Sequence, residues 1–343
     1  MVLRTGAYDG DRTVGLVSSA LDIELSAILS EDRMAQSMSH ALESTTDEDF
    51  RYHYLRAHVF SKYNDEDPSS ALLRQAKAYE KFADAETTCR LFNERLVDPW
   101  SRVSLNQEVI RRARAIMAEL LGSFPWEKFP EVCGFGPGAS TGLSRRDSSQ
   151  QNKWVSSSHI TAAALPYYLA FHRWAAVDIP DKLEIVEGNR VTTVPKSYKT
   201  DRTIAIEPDW NMFFQKGVGS LIRRRLQRRG LLRPDAQDKN KALARLGSWT
   251  GHLATLDMSA ASDSVSLALV EMLYPEDWFK VICDLRSASG KLPTGETVTY
   301  AKVSSMGNGN TFELETSIFY SLVLACCRKG DWHNVTVFGD DII

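Results

Sequence analysis

The ten residues NVTVFGDDII (334–343) restrict the fold more than any other stretch of this chain. Val335, Val337, Ile342 and Ile343 favour extended backbone, and Gly339 permits an unusual angle at a bend, so the run predicts strand, tight turn, strand. Two adjacent carboxylates, Asp340 and Asp341, then sit at the tip between apolar flanks. Like charges placed together raise one another's pKa unless a cation neutralises them, and a hard divalent metal is the natural partner. Paired aspartates also occur in ordinary turns, so this stretch alone leaves both readings open.

A second aspartate stretch narrows the choice. In HLATLDMSAASDSVSLALVEML an apolar run from Leu253 to Leu256 ends in Asp257, followed by small polar residues and by Asp263 opening an amphipathic helix. An aspartate at the end of a buried strand is costly unless it is paired or binds a metal. Asp263 taken alone reads as a first-turn acid favoured by the helix dipole. Together, Asp257, Asp340 and Asp341 can converge on two Mg²⁺ ions about 3.5–4 Å apart, an arrangement that activates an attacking hydroxyl and stabilises leaving pyrophosphate. Between the two stretches, Ser304 to Asn310 is a small-residue loop that lets backbone approach a ligand, and Thr311 to Cys327 is patterned as a buried helix. Asn308, Asn310 and Thr311 offer hydrogen bonds suited to a ribose or base edge, where the 2′-hydroxyl would mark RNA.

Charge is distributed unevenly. The 343 residues carry 41 Lys and Arg against 44 Asp and Glu, a formal −3 that argues superficially against a nucleic-acid partner. Residues 190 to 245, however, hold 14 basic and five acidic residues, a local +9 that leaves −12 for the rest of the chain. Such asymmetry is an electrostatic footprint for a polyanion. The Arg223 to Arg229 cluster is equally explained by a solvated helix face. Lys196, Lys199 and Arg202 lie instead on a short extended stretch entered through Pro195, where a row of cations can line a path for nucleoside triphosphates or template.

The remaining chain bounds the class. An apolar fraction of 43% with 10% aromatics excludes wholesale disorder. Helical periodicity runs from about Gly15 to Tyr54 through Leu16, Leu21, Ile23, Leu25 and Ile28, then from Ala71 to Leu96 and from Val103 to Leu121, with Asp98-Pro99 as punctuation. The Gly- and Ser-rich stretch from Phe124 to Ser149 offers backbone N–H groups that can approach phosphate, but it matches no P-loop, and a flexible surface loop is the better reading. EIVEG and RVTTV suggest strands joined as a hairpin at Gly188-Asn189, and a helix follows from Trp210. Cys89, Cys133, Cys283, Cys326 and Cys327 lack metal or disulfide spacing and read as reduced thiols of a cytosolic protein. No window reaches the ~18 apolar residues of a membrane span, and no signal peptide is evident.

The order of these features has a counterpart. VPKSYKTDRTIAIEPDWNMFFQ, LDMSAASDSVSLALVEML, SSMGNGNTFELE and VFGDDII resemble the catalytic subunits of single-stranded RNA bacteriophage replicases of the Qβ type, over roughly Lys182 to Ile343. The resemblance implies an α/β right-hand polymerase that performs RNA-directed RNA synthesis in the cytoplasm of an infected bacterium. It implies a helical region over 1–122, fingers over 123–250 and a palm from 251 to 343. Asp257, Asp340 and Asp341 would bind two Mg²⁺ ions, for which Mn²⁺ can substitute. Lys196, Lys199 and Arg202 would contact the incoming triphosphate, and Asp263, Thr311 and the loop with Ser305, Gly307 and Asn308 would monitor the ribose. RNA template and product, host elongation factors Tu and Ts and a small-subunit ribosomal protein are the implied partners, with no membrane.

Some residues depart from the broader palm-polymerase pattern. Met306 precedes Gly307 where serine is usual, Glu315 occupies the position of an expected asparagine, and the five-residue gap between Asp257 and Asp263 makes Ser262 a rival for the role of Asp263. No general acid is evident, since His252 and His333 read as structural. A reverse transcriptase shares the palm chemistry and also tolerates Phe338-Gly339-Asp340-Asp341, and an inactive RNA-binding fragment is a further alternative. Because a palm normally continues into further elements and a thumb, the sequence is expected to be partial, with the thumb largely missing.

Overall fold

A computed structural model describes residues 43, 46–61, 68–97, 106–156, 158–176, 182–258 and 260–343. Along it run α1 (Asp47–Ser61), α2 (Pro68–Val97), α3 (Gln107–Leu121), α4 (Phe129–Val132), α5 (Gln150–Val155), β1 (Ser158–Thr161), α6 (Leu165–Ala175), β2 (Leu183–Val186), β3 (Asn189–Val194), β4 (Arg202–Ile206), α7 (Asp209–Arg228) and α8 (Ala236–Thr250). There follow β5 (Leu256–Asp257), α9 (Ala261–Ser264), α10 (Leu267–Leu273), α11 (Glu276–Leu285), β6 (Ser289–Lys291), β7 (Thr297–Thr299), α12 (Thr311–Cys326), β8 (Val337–Phe338) and β9 (Asp341–Ile342). Helix and sheet are thus mixed. The helical pattern expected from Gly15 and the Asp98-Pro99 punctuation lie outside the described residues. None of the described helices is long and apolar enough to cross a membrane.

The chain divides into two compact units, Met1–Glu80 with Thr193–Arg202, and Lys81–Thr192 with Thr203–Ile343. In the smaller unit, α1 opens with Asp47, Glu48 and Asp49 in its first turn, where acids oppose the positive end of the helix dipole. The Thr46 hydroxyl accepts from the Asp49 N–H at 3.2 Å and so satisfies one of the donors a helix start leaves open. Asp201 is tied to α2 twice, by a buried ion pair with Arg74 at 3.6 Å and by donation of its N–H to the Arg74 carbonyl at 3.3 Å. Lys196, Lys199 and Arg202 belong to this unit, and all three are exposed.

The larger unit is organised by two helices. Ala113, Met117, Leu120 and Leu121 recur at i, i+4, i+7 and i+8, and this stripe of α3 packs against α12. Helix α7 buries residues around most of its circumference, including Trp210, Phe213, Phe214, Val218, Leu221, Ile222 and Leu226. Trp210 is fully buried among Phe135, Trp154, Tyr168 and Phe213, with ring centroids 4.7–5.6 Å apart. Full burial of one large apolar side chain stabilises by roughly 1.5–3 kcal/mol, so this aromatic group holds the N-terminal half of α7 firmly.

Two expectations from the sequence are corrected here. EIVEG and RVTTV do not form a hairpin: β2 pairs in parallel with β1, whereas β3 joins a separate sheet of order β4-β3-β6-β7. Local turn propensity at Gly188-Asn189 yields to the non-local partners Ser158–Thr161 and Gly290–Lys291. Nor is the Gly-rich stretch after Phe124 a free loop. Lys153 is buried and donates from Nζ to the Gly136 carbonyl at 2.7 Å, and Lys216 donates to the Phe135 carbonyl at 3.0 Å. The loop thus turns carbonyls inward to lysines, the reverse of a phosphate cradle built from N–H groups.

Candidate active site

Strands β5, β9 and β8 form a small antiparallel sheet with β9 in the middle. Phe338 pairs with Asp341, leaving Gly339 and Asp340 as a two-residue hairpin loop. Gly339 has φ +66, the left-handed region that glycine occupies without steric cost and that such short hairpins demand. A side chain here would also strike the Phe312 ring at 2.6 Å. The turn is fastened to α12, because the Thr316 hydroxyl accepts from the Gly339 N–H at 3.0 Å while donating to the Phe312 carbonyl at 2.7 Å. Thr336 and Ile343 close the hairpin with reciprocal backbone bonds of 2.9 and 3.0 Å.

The register sets Asp257 directly opposite Asp341. Side chains of such a pair project on the same face with Cβ atoms about 4.5–5.5 Å apart, and like charges there repel. The Asp341 carboxyl is accordingly pushed above its ordinary value, first by burial and then by Asp340 and Asp257. Both Asp257 and Asp341 line an open cleft of about 400 Å³ whose opposite wall is α8, with Gln237, Asn240 and Lys241. The sequence predicted a buried strand ending at Asp257; the structure shows a two-residue, exposed strand with Leu256 52% accessible. The acid therefore lies at an open edge of the cleft, which lowers the cost of its charge.

A hard divalent cation suits this donor set of carboxylate oxygens. Among the described residues, Asp257, Asp340 and Asp341 form no ion pair with Lys, Arg or His. The three side chains are not drawn into a ready ligand cage either, since no group of three or more His, Cys, Asp or Glu among the described residues is arranged to hold a metal.

Asp263 has a different environment. It does not open the long helix; it lies in the four-residue α9, and Ser266 caps α10 by accepting from the Leu269 N–H at 3.3 Å. Its carboxylate accepts from Lys302 Nζ at 2.7 Å, and the same fully buried ammonium lies 3.3 Å from Glu86 and 3.9 Å from the Phe82 ring centroid. Ser262, the rival candidate, is buried.

The loop before α12 is held from within. The Thr311 hydroxyl donates to the Ser305 carbonyl at 2.9 Å, Asn308 Oδ1 accepts from the Ser305 N–H at 3.2 Å, and Gly309 donates to Gln215 Oε1 at 2.9 Å. Gly307 has φ +120 and lies against the Ala205 backbone, where the Ala205 N–H donates to the Met306 carbonyl at 2.7 Å. Glu313 is ion-paired to Arg223 at 2.6 Å. Glu315 is buried, and its carboxyl is pushed up to about 7, chiefly by burial and then by Asp340, Asp263 and Glu313.

The sequence grouped Ser305, Gly307, Asn308, Thr311 and Asp263 near the aspartates, and these residues all lie in the larger unit. It missed Thr316, Gln215 and Lys302, whose roles depend on contacts far away in the chain. Glu315 carried a signal, as an acid within a helix patterned for burial.

The chain is similar to known proteins over most of its length. The family model described as RNA replicase, beta-chain, matches residues 16–343. An RNA-directed RNA polymerase subunit beta from Escherichia virus Qbeta is 47% identical over 90% of this chain and 52% of the relative. The subunit of the same name from Enterobacteria phage SP is 45% identical over 86% of this chain and 52% of the relative. The RNA-directed RNA polymerase beta chain of Escherichia phage MS2 is 38% identical over 67% of this chain and 43% of the relative. The chain thus spans about half the length of these relatives.

Proposed function

The chain belongs to the RNA replicase beta-chain family, and from that premise we propose that it carries the nucleotidyl-transfer centre of an RNA-directed RNA polymerase. The reaction is attack by the 3′-hydroxyl of RNA on the α-phosphorus of a templated ribonucleoside triphosphate, releasing pyrophosphate. The carrying observation is the cross-strand pair Asp257–Asp341 beside Asp340, on a hairpin fastened to α12. Asp257, Asp340 and Asp341 would hold Mg²⁺, with Mn²⁺ as a substitute; two such ions lower the pKa of the attacking hydroxyl and neutralise the leaving oxygens.

The other residues act by position and charge. Thr316 and Gly339 fix the turn, so the two acids of the hairpin keep their spacing while substrate binds. Lys196, Lys199 and Arg202 serve the triphosphate. Asp263 is already engaged by Lys302, so its part is to set the local backbone beside the substrate. Ser305, Gly307 and Thr311 shape the loop, and Asn308, whose Oδ1 is committed within it, presents its Nδ2 amide to ribose or template. In this proposal 1–122 is a helical region, 123–250 the fingers and 251–343 the palm of a right-hand polymerase acting in the bacterial cytoplasm. Host elongation factors Tu and Ts and a small-subunit ribosomal protein are its proposed partners.

The test is incorporation of labelled ribonucleotides on an RNA template with Mg²⁺, by a protein of the relatives' full length bearing this chain, against its Asp340→Asn variant. Loss of incorporation by about 100-fold or more supports the centre. Undiminished activity in the variant rejects it, and preferential use of deoxyribonucleotides points to a reverse transcriptase.

A further inference from the structure

Five arginines crowd the end of α7, and they divide into two groups. Arg223 pairs with Glu313 at 2.6 Å, and Arg229 pairs with Glu119 at 2.6 Å. Among the described residues, Arg224, Arg225 and Arg228 form no ion pair. Leu221, Arg224, Arg225 and Arg228 fall at i, i+3, i+4 and i+7, so they share one helical face. That face forms one side of an open cleft of about 410 Å³, and the other side is the turn Phe124–Lys128.

The centre of that turn is Trp126, 53% exposed although its ring leans on Phe124 at 4.6 Å and on Tyr167 at 6.4 Å. It is held as a platform: Trp126 and Lys128 donate backbone N–H bonds to Phe124 and Pro125 at 3.0 Å each. Within the cleft, Lys128 and the three arginines oppose the single carboxylate of Glu127. Cations near a helix C-terminus are favoured by the dipole, which accounts for arginines there but not for the exposed indole they face.

We propose that this cleft binds single-stranded RNA, with a base stacked on Trp126 and flanking phosphates held by Arg224, Arg225 and Arg228. An aromatic platform beside a cationic row is the arrangement that engages single strands, because every base has a π-face and every nucleotide a phosphate. The choice of RNA over another single strand rests on the polymerase proposed above; the stacking and charge do not. The site is separate from the hairpin aspartates, since no residue lining it belongs to their sheet.

The experiment is photo-crosslinking of 5-bromouridine-substituted single-stranded RNA to the full 343-residue chain, with adducts mapped by mass spectrometry. An adduct on Trp126 is expected, unchanged in Asp340→Asn, which separates this inference from the catalytic one. In titrations with a fluorescent oligoadenylate, Trp126→Ala should weaken binding between about 5-fold and about 150-fold. The Arg224→Ala/Arg225→Ala/Arg228→Ala variant should lower the slope of log affinity against log salt by about 2, and Arg224→Ala alone, at an exposed position, by about 0.7. No adduct on Trp126 together with an unchanged salt slope overturns the proposal. So does displacement by polyglutamate as effective as by unlabelled RNA with Trp126→Ala neutral, which assigns the cleft to an acidic protein surface.

Discussion

Asp263 and Asp341 are both acids of the candidate site, yet the fold treats them in opposite ways. Asp263 shares a fully buried ammonium with Glu86, so each of these two carboxylates has an internal cation as partner. Asp341 faces Asp257 across a strand pair, with Asp340 beside it, and its proton affinity is raised first by burial and then by their company. The first arrangement is complete without a ligand. The second concentrates negative charge without an internal cation among the described residues, and the proposed metal site rests on that difference.

The largest expected effect tests the complete arrangement. Lys302→Ala strands Glu86 and Asp263 without their cation and should cost about 3–5 kcal/mol, read as a lower denaturant midpoint in urea. Next, Gly339→Ala forces a side chain into φ +66 and against Phe312, and should cost about 1–3 kcal/mol in the same assay. Its loss should exceed that of Gly330→Ala, where a side chain meets nothing within 4 Å.

Glu207 sharpens the contrast, because its direct hydrogen-bond donors are neutral and Arg286 acts on it only as a weaker, lowering influence. It is fully buried and accepts from Asn189, Gln215 and Ser287 at 2.6, 2.9 and 2.9 Å, yet burial prevails and its carboxyl stays above the ordinary value of 4.5. The folded chain thus keeps a proton that the unfolded chain releases. Stability from this group is complete below pH 4.5 and declines as pH rises through the folded value, by at most about 1.4 kcal/mol per pH unit. Glu207→Gln should flatten that slope in denaturation measured from pH 4.5 upward. Smallest in stability is Asp341→Asn, which relieves repulsion and should leave the fold unchanged or firmer by about 0.2–1 kcal/mol. A loss of several kcal/mol would mean that Asp341 has an internal partner after all.

Much of the site was legible because its signals are local. The hairpin around Gly339, the helix from Thr311 and the helix from Trp210 follow from short-range propensity and apolar spacing, and both helices begin within a residue of the expected start. What was not legible depends on partners distant in sequence. Nothing near Asp263 announces Lys302, which lies 39 residues away. The β2–β3 hairpin failed for the same reason, because β1 and β6 compete for those edges. The arginine run showed its charge in the sequence, but which arginines are consumed by Glu119 and Glu313 required the packing of α3 and α12 against α7.

The central claim is that the hairpin acids, unlike the paired ones, hold a divalent cation. Electron paramagnetic resonance of Mn²⁺ titrated into the chain measures this most directly. Wild type should bind, Asp341→Asn should bind about 10-fold or more weakly, and Asp263→Asn should bind as wild type does. Equal Mn²⁺ affinity in wild type and Asp341→Asn would contradict the account.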